Sequence, residues 1–153
     1  DSKFDIAKLS NIKNDAIKSI LSAKLLEAQN RGISISVEVE EPISNFRIEL
    51  LDFITVLSIL CDNAIEATIK ATSPRMTVVF INNDDSLVLI VENSIKSEKV
   101  DVSHIFARGY SSKGEGRGLG LHNVNSILEK YPKSTITTRS ANHLFSQTIR
   151  FCK

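Results

Sequence analysis

Four of the chain's six glycines stand at alternate positions in the stretch SSKGEGRGLGLHNV, residues 111–124, and a fifth, Gly109, lies just upstream. Glycine is entropically costly and is used where φ is positive or where another group must approach the backbone closely. Behind the run, Leu119, Leu121, Val124, Ile127 and Leu128 recur at helical spacing, so the glycines lead into a helix over 118–130 that Pro132 stops. Two familiar phosphate loops are excluded. A GxGxxG begun at Gly116 and Gly118 needs glycine at 121, where Leu121 stands. A Walker A loop begun at Gly109 reaches Gly114 in register but then meets Glu115 in place of lysine. What survives is the physical core of both: backbone that a ligand can approach, followed by the free N–H groups and partial positive charge of a helix N-terminus. Lys113 and Arg117 add cations, and Ser111 and Ser112 add hydroxyls. The set suits a polyphosphate; a flexible loop capped by a helix is the alternative.

The 153 residues suit one domain with one core. A net charge of +1 gives no bulk case for binding nucleic acid or a membrane surface. Two cysteines make no disulfide framework, and no apolar run reaches the ~18 residues that span a bilayer. The chain opens in what reads as mid-helix, which predicts a fragment of a longer protein.

Apolar spacing from Ile6 to Ala28 predicts one helix over 4–30, stopped by Gly32, and strict alternation of Ile33, Ile35, Val37 and Val39 predicts a half-buried strand. Pro42 and Asn45 mark a loop. A strongly apolar helix follows from Glu49 to Lys70, with Asp52, Thr55, Asp62, Glu66 and Lys70 expected along one side, and Ser73-Pro74 ends it. MTVVFIN and SLVLIVEN form a hairpin about Asn82-Asn83-Asp84-Asp85, and STITTRS and LFSQTIRF form a second. Residues 94–117 keep no period, as functional or disordered loops do. The order α-β-α-β-β-loop-α-β-β predicts an α/β two-layer sandwich: a mixed, mostly antiparallel sheet with helices on one face.

The helix over 49–70 carries CDNAIEA, residues 61–67. Asn63 and Glu66, at i and i+3, share a face. Asparagine is a poor helix former, and its amide oxygen suits Mg²⁺, which prefers oxygen donors and normally keeps phosphates and waters as its other ligands. A solvated face or a satisfied hydrogen bond is the alternative for each polar residue, and the favoured one for Asp62.

Together, these motifs and the element order resemble the GHKL ATP-binding fold of gyrase, Hsp90, MutL and the histidine kinases. Asn63-Ala64-Ile65-Glu66-Ala67 is similar to the N box, whose asparagine binds Mg²⁺ between nucleotide phosphates. Gly116-Arg117-Gly118-Leu119-Gly120-Leu121 is similar to the phosphate-cradling G2 box. Ile105-Phe106 with Gly109-Tyr110-Ser111-Ser112-Lys113-Gly114 resembles the F box and ATP lid. Within the superfamily, CDNAIEA, GYSSKG and RGLGL most resemble the peptide-sensing, quorum-sensing kinases of the HPK10 type. The resemblance implies a single ATP-binding domain over 1–153, with a connector and first helix over 1–30 and a lid over 94–117, from the cytoplasmic side of a plasma-membrane receptor. It implies ATP and Mg²⁺ as ligands, with Asn63 on the metal and Glu66, Asn93, Tyr110, Ser111, Lys113, Gly114, Gly116, Arg117, Gly118, Leu119, Gly120 and Leu121 about the nucleotide. The implied partners are a histidine-containing dimerisation domain of the same receptor and a response regulator, with no nucleic acid and no direct membrane contact.

Three departures bear on mechanism. The family's Asp-x-Gly-x-Gly after the second hairpin strand is replaced by Glu92-Asn93-Ser94, which puts uncharged Asn93 where an aspartate reads adenine. Glu66 stands where many histidine kinases have lysine. Ile59 stands where the family's ATPases have a catalytic glutamate, so efficient hydrolysis is not expected, whereas transfer to a supplied nucleophile depends mainly on positioning and charge neutralisation. His104, His122 and His143 lack the setting of a phosphoacceptor, so the chain is expected not to phosphorylate itself. An anti-sigma-type serine kinase and a degenerate nucleotide-binding or docking module are the alternatives.

Overall fold

The computed structural model describes residues 6–100 and 119–152. The expected single opening helix is two pieces: a 3-10 helix at Ile6–Asn11 and helix α1 at Asp15–Asn30. The break has a long-range cause. Lys13 N donates to Ile43 O at 2.8 Å, and Ile43 N donates to Asn11 O at 2.8 Å, so this backbone pairs with the loop after the first strand instead of turning helically. Asn14 then caps α1, its side chain accepting from Ile17 N at 3.0 Å. Beyond α1, Gly32 adopts φ +82, a left-handed conformation that favours glycine.

Strand β1 (Ser34–Val39) buries Ile35, Val37 and Val39, as its alternation requires. Helix α2 (Leu50–Thr68) crosses over to β2 (Arg75–Asn82), which lies parallel to β1. β2 and β3 (Leu87–Ser94) form the first hairpin, and β4 (Thr135–Ala141) and β5 (Leu144–Phe151) the second, whose turn residues Asn142 and His143 both have positive φ. β5 inserts between β3 and β4, giving the order β1-β2-β3-β5-β4 with every pairing but the first antiparallel. This is the expected mixed sandwich.

The core lies between sheet and helices. Phe53 of α2 is fully buried, its ring 5.0 Å from Phe46, 4.8 Å from Phe151 and 6.5 Å from Phe80. Arg47 fixes the approach to α2: at φ 73 it donates to Asn45 O at 2.6 Å, Asn83 O at 2.6 Å and Asn82 Oδ1 at 3.1 Å, tying the loop to the first hairpin turn. At the other end of α2, Thr68 Oγ1 and Ser94 Oγ lie 2.7 Å apart. Arg75 N donates to both at 3.0 Å, and Ser94 Oγ donates to Ser73 O at 2.8 Å. That buried hydroxyl node joins the end of α2 to the start of β2 and the end of β3. Among the described residues, no helix is long and apolar enough to cross a membrane.

Candidate functional site

Helix α3 (Leu119–Leu128) lies back along α2. Its first turn rests on the middle of α2: a Cβ built at Gly120 would lie 3.2 Å from Ile59 Cγ2, 3.8 Å from Asn63 Nδ2 and 3.9 Å from Asn63 Oδ1. Gly120 does not have a positive φ, so space rather than conformation requires glycine there. The last residue of the alternating run and the expected metal-binding amide are thus neighbours, although distant in sequence. Ile59, which occupies the place of an ATPase glutamate, is the packing surface beneath the same turn.

Asn63 and Glu66 are half-buried on α2, and the Asn63 amide nitrogen is buried. Asn93 is 2% exposed, on the helix-covered face of β3 with Leu89 and Val91. Its Nδ2 donates to Ser94 O at 3.0 Å, and the neighbouring hydroxyl node holds this strand end against the end of α2. Gly120 and Asn63 thus meet over the middle of α2, and Asn93 lies on the helix-covered face at the strand end that is tied to the end of that helix. Leu121 is buried, a core anchor for α3. Tyr110, Ser111, Lys113, Gly114, Gly116, Arg117 and Gly118 lie outside the described residues, as do the side chain of Leu119 and residues 101–117 of the expected lid.

The polar side expected along α2 is divided. Asp62 turns to α1, where Lys24 Nζ meets Oδ1 at 2.7 Å. Burial lowers the Lys24 pKa, but the hydrogen bond and charge of Asp62 outweigh it, so the net shift is upward. This is the satisfied-pair reading of Asp62. Asp52, ten residues earlier on the helix, meets the far end of α3 instead: the Tyr131 hydroxyl donates to Oδ2, and Lys130 Nζ lies 2.9 Å from the same oxygen. Neither Tyr131 nor the Thr68–Ser94 node was named by sequence reasoning. The tyrosine beside Pro132 is an interpretable signal only once α3 is known to return to the start of α2.

Among the described residues, no group of three or more His, Cys, Asp or Glu could hold a metal ion. One amide beneath a glycine turn is a donor suited to an ion that brings most of its own oxygen ligands. Mg²⁺ carried by a polyphosphate has that requirement, and a helix N-terminus placed above it favours the anion.

Residues 48–152 match the GHKL domain family. The chain is 29% identical to the sensor protein CitS of Bacillus subtilis over 125 residues, 78% of this chain and 23% of that protein. It is 30% identical to the sensor histidine kinase DcuS of Escherichia coli over 144 residues, 91% of this chain and 26% of that protein. The fold is that of the catalytic domain of histidine kinase ThkA (TM-score 0.72, 20% identity, 92% of each chain). Full-length ShkA, solved with AMPPNP, aligns with TM-score 0.68 at 16% identity over 88% of this chain and 28% of that one.

Proposed function

The chain belongs to the GHKL domain family, and from that premise we propose that it is the catalytic, ATP-binding domain of a sensor histidine kinase, binding MgATP between α2, the end of β3 and the first turn of α3. The observation that carries this reading is the proximity of Gly120 to Asn63: a Cβ at 120 would touch the Asn63 amide at 3.8 and 3.9 Å and press on Ile59 at 3.2 Å, so glycine lets the first turn of α3 rest directly over an amide suited to a phosphate-bound ion. In this reading Asn63 Oδ1 holds Mg²⁺ together with the nucleotide phosphates, and the ion supplies charge neutralisation at the transferring phosphoryl group. The backbone N–H groups at the start of α3 receive phosphate oxygens, with Lys113 and Arg117 as the cations and Tyr110 and Ser111 completing the lid. Glu66, one turn further along the same face of α2, would line the nucleotide site.

Asn93 reads the adenine amino group through its amide oxygen. Lacking the charge of an aspartate, it gives weaker binding and looser base choice. Ile59 cannot activate water, so the γ-phosphate is conserved for a histidine on a separate dimerisation domain of the same receptor, from which a response regulator takes it. CDNAIEA, GYSSKG and RGLGL support placing that receptor among plasma-membrane kinases sensing quorum peptides, AgrC-like, with this domain on the cytoplasmic side and a lid that starts later than the expected residue 94, because Ser94 is the last residue of β3. A calorimetric titration with ATP, with and without Mg²⁺, tests the reading. Binding that requires Mg²⁺ is expected; no binding at millimolar nucleotide would overturn it.

A further inference from the structure

The two ends of α3 are held on α2 by different chemistry. We propose that Asp52 and Tyr131 are positioning residues for the nucleotide site: their hydrogen bond fixes where α3 rests along α2 and so where Gly120 lies over Asn63. The proposal rests on the nucleotide reading above. Glu49, the residue before α2, makes no side-chain cap. Its N–H donates instead to the Tyr131 hydroxyl at 3.3 Å, and that hydroxyl donates to Asp52 in the first turn. Lys130 adds its ammonium to the same carboxylate at 2.9 Å. Two successive residues just beyond α3 thus serve the start of α2.

The joint is not an ordinary surface pair, because the Asp52 side chain is only 16% exposed. It is also stiffly connected to α3: Lys130 N donates to Ile127 O at 3.1 Å, Tyr131 N to Leu128 O at 2.9 Å, and Ser134 N to Tyr131 O at 2.8 Å. The ten residues of α3 make a rod of about 15 Å. A rod of that length, held at Tyr131, passes a shift at one end to Gly120 at the other. The seat there is close: the Gly120 Cβ position is 3.2 Å from Ile59, so small movements change what the Asn63 amide faces.

Tyr131→Phe keeps the ring and removes the hydroxyl, and Asp52→Asn keeps the shape and removes the charge. Three quantities are read in each variant: MgAMPPNP affinity, melting temperature, and the NMR resonances of the Gly120 amide and the Asn63 side-chain amide. Tyr131→Phe is expected to weaken MgAMPPNP binding about tenfold, an effect typical of a slightly misplaced binding geometry, and to move both resonances. Asp52→Asn is expected to move them in the same direction, and the double variant to be no worse than the worse single. Resonances and affinity that stay at wild-type values while melting temperature falls would overturn the proposal and leave the joint purely structural. Wild-type protein that binds no MgAMPPNP would sink the nucleotide reading instead, and stationary Gly120 and Asn63 resonances would still overturn the positioning role.

Discussion

At the start of α2, polar groups serve one another: the Asp52 carboxylate takes the Tyr131 hydroxyl and the Lys130 ammonium, and the Glu49 N–H is served by the same hydroxyl. Further along the helix, the Asn63 amide lies against Gly120, where a Cβ would sit 3.8 and 3.9 Å from its amide atoms. The first region has the chemistry of a joint, and the second is the region proposed above to hold the nucleotide. One helix pair can hold both because α3 is clamped at one end and carries at the other a glycine, Gly120, against Asn63. Substitutions in the joint should therefore lower stability and, through the seating of α3, ligand binding as well, whereas Asn63→Ala should act on binding alone.

The largest separation is expected from Asn63→Ala, which should abolish Mg²⁺-dependent nucleotide binding while circular dichroism and melting remain close to wild type. Gly120→Ala comes next. Its methyl would come 3.2 Å from Ile59 Cγ2; overpacking strain of about 1–3 kcal/mol is expected to outweigh the ~1 kcal/mol that alanine gains in a helix, and nucleotide binding to weaken with it. Adding Ile59→Ala, which removes that carbon, should restore part of the affinity; a double variant no better than Gly120→Ala would show that the contact is not the cause. Ser94→Ala should cost about 0.5–1.5 kcal/mol by denaturant titration, since Ser73 O loses its donor while the Arg75 N–H and the Thr68 hydroxyl keep each other's residue as partner.

A smaller, pH-dependent effect distinguishes the joint. The Tyr131 hydrogen bond, helped by Lys130, holds the Asp52 carboxyl below its ordinary 3.8. A depressed carboxylate contributes stability that is present above 3.8 and is lost as pH falls through the folded-state value. The stability gap between wild type and Asp52→Asn should therefore be constant near neutrality and shrink below that pH. A gap that widens on acidification would contradict the joint. Smallest of all is the expected signal from Cys61, whose burial pushes its thiol up to about 12: thiol reagents at pH 8 should label it only after unfolding.

Much of this arrangement could be read from residues alone. The apolar run of α2, the turn residues of the first hairpin and the alternation of β1 are local signals, and the sandwich follows from their order. The interruption after Asn11 could not be read from periodicity, because Ile6, Leu9 and Ile12 fit a helix. What breaks it is pairing with Ile43, a residue beyond β1. Asn14-Asp15 was the available clue, a capping pair inside a supposed helix. Asn63 and Gly120 were each singled out by type and spacing, yet their contact depends on α3 returning along α2. Asp52 showed the limit most clearly: counted with Asp62 as one polar side, it serves a tyrosine 79 residues away.

The proposed site holds a metal-bound polyphosphate beneath Gly120 through Asn63. The most direct measurement is a pair of calorimetric titrations with AMPPNP in Mg²⁺, and again in EDTA, on wild type and on Asn63→Ala. Saturable binding by wild type that disappears both in EDTA and in Asn63→Ala is the predicted result. Equal affinity of the two proteins in Mg²⁺ would contradict it.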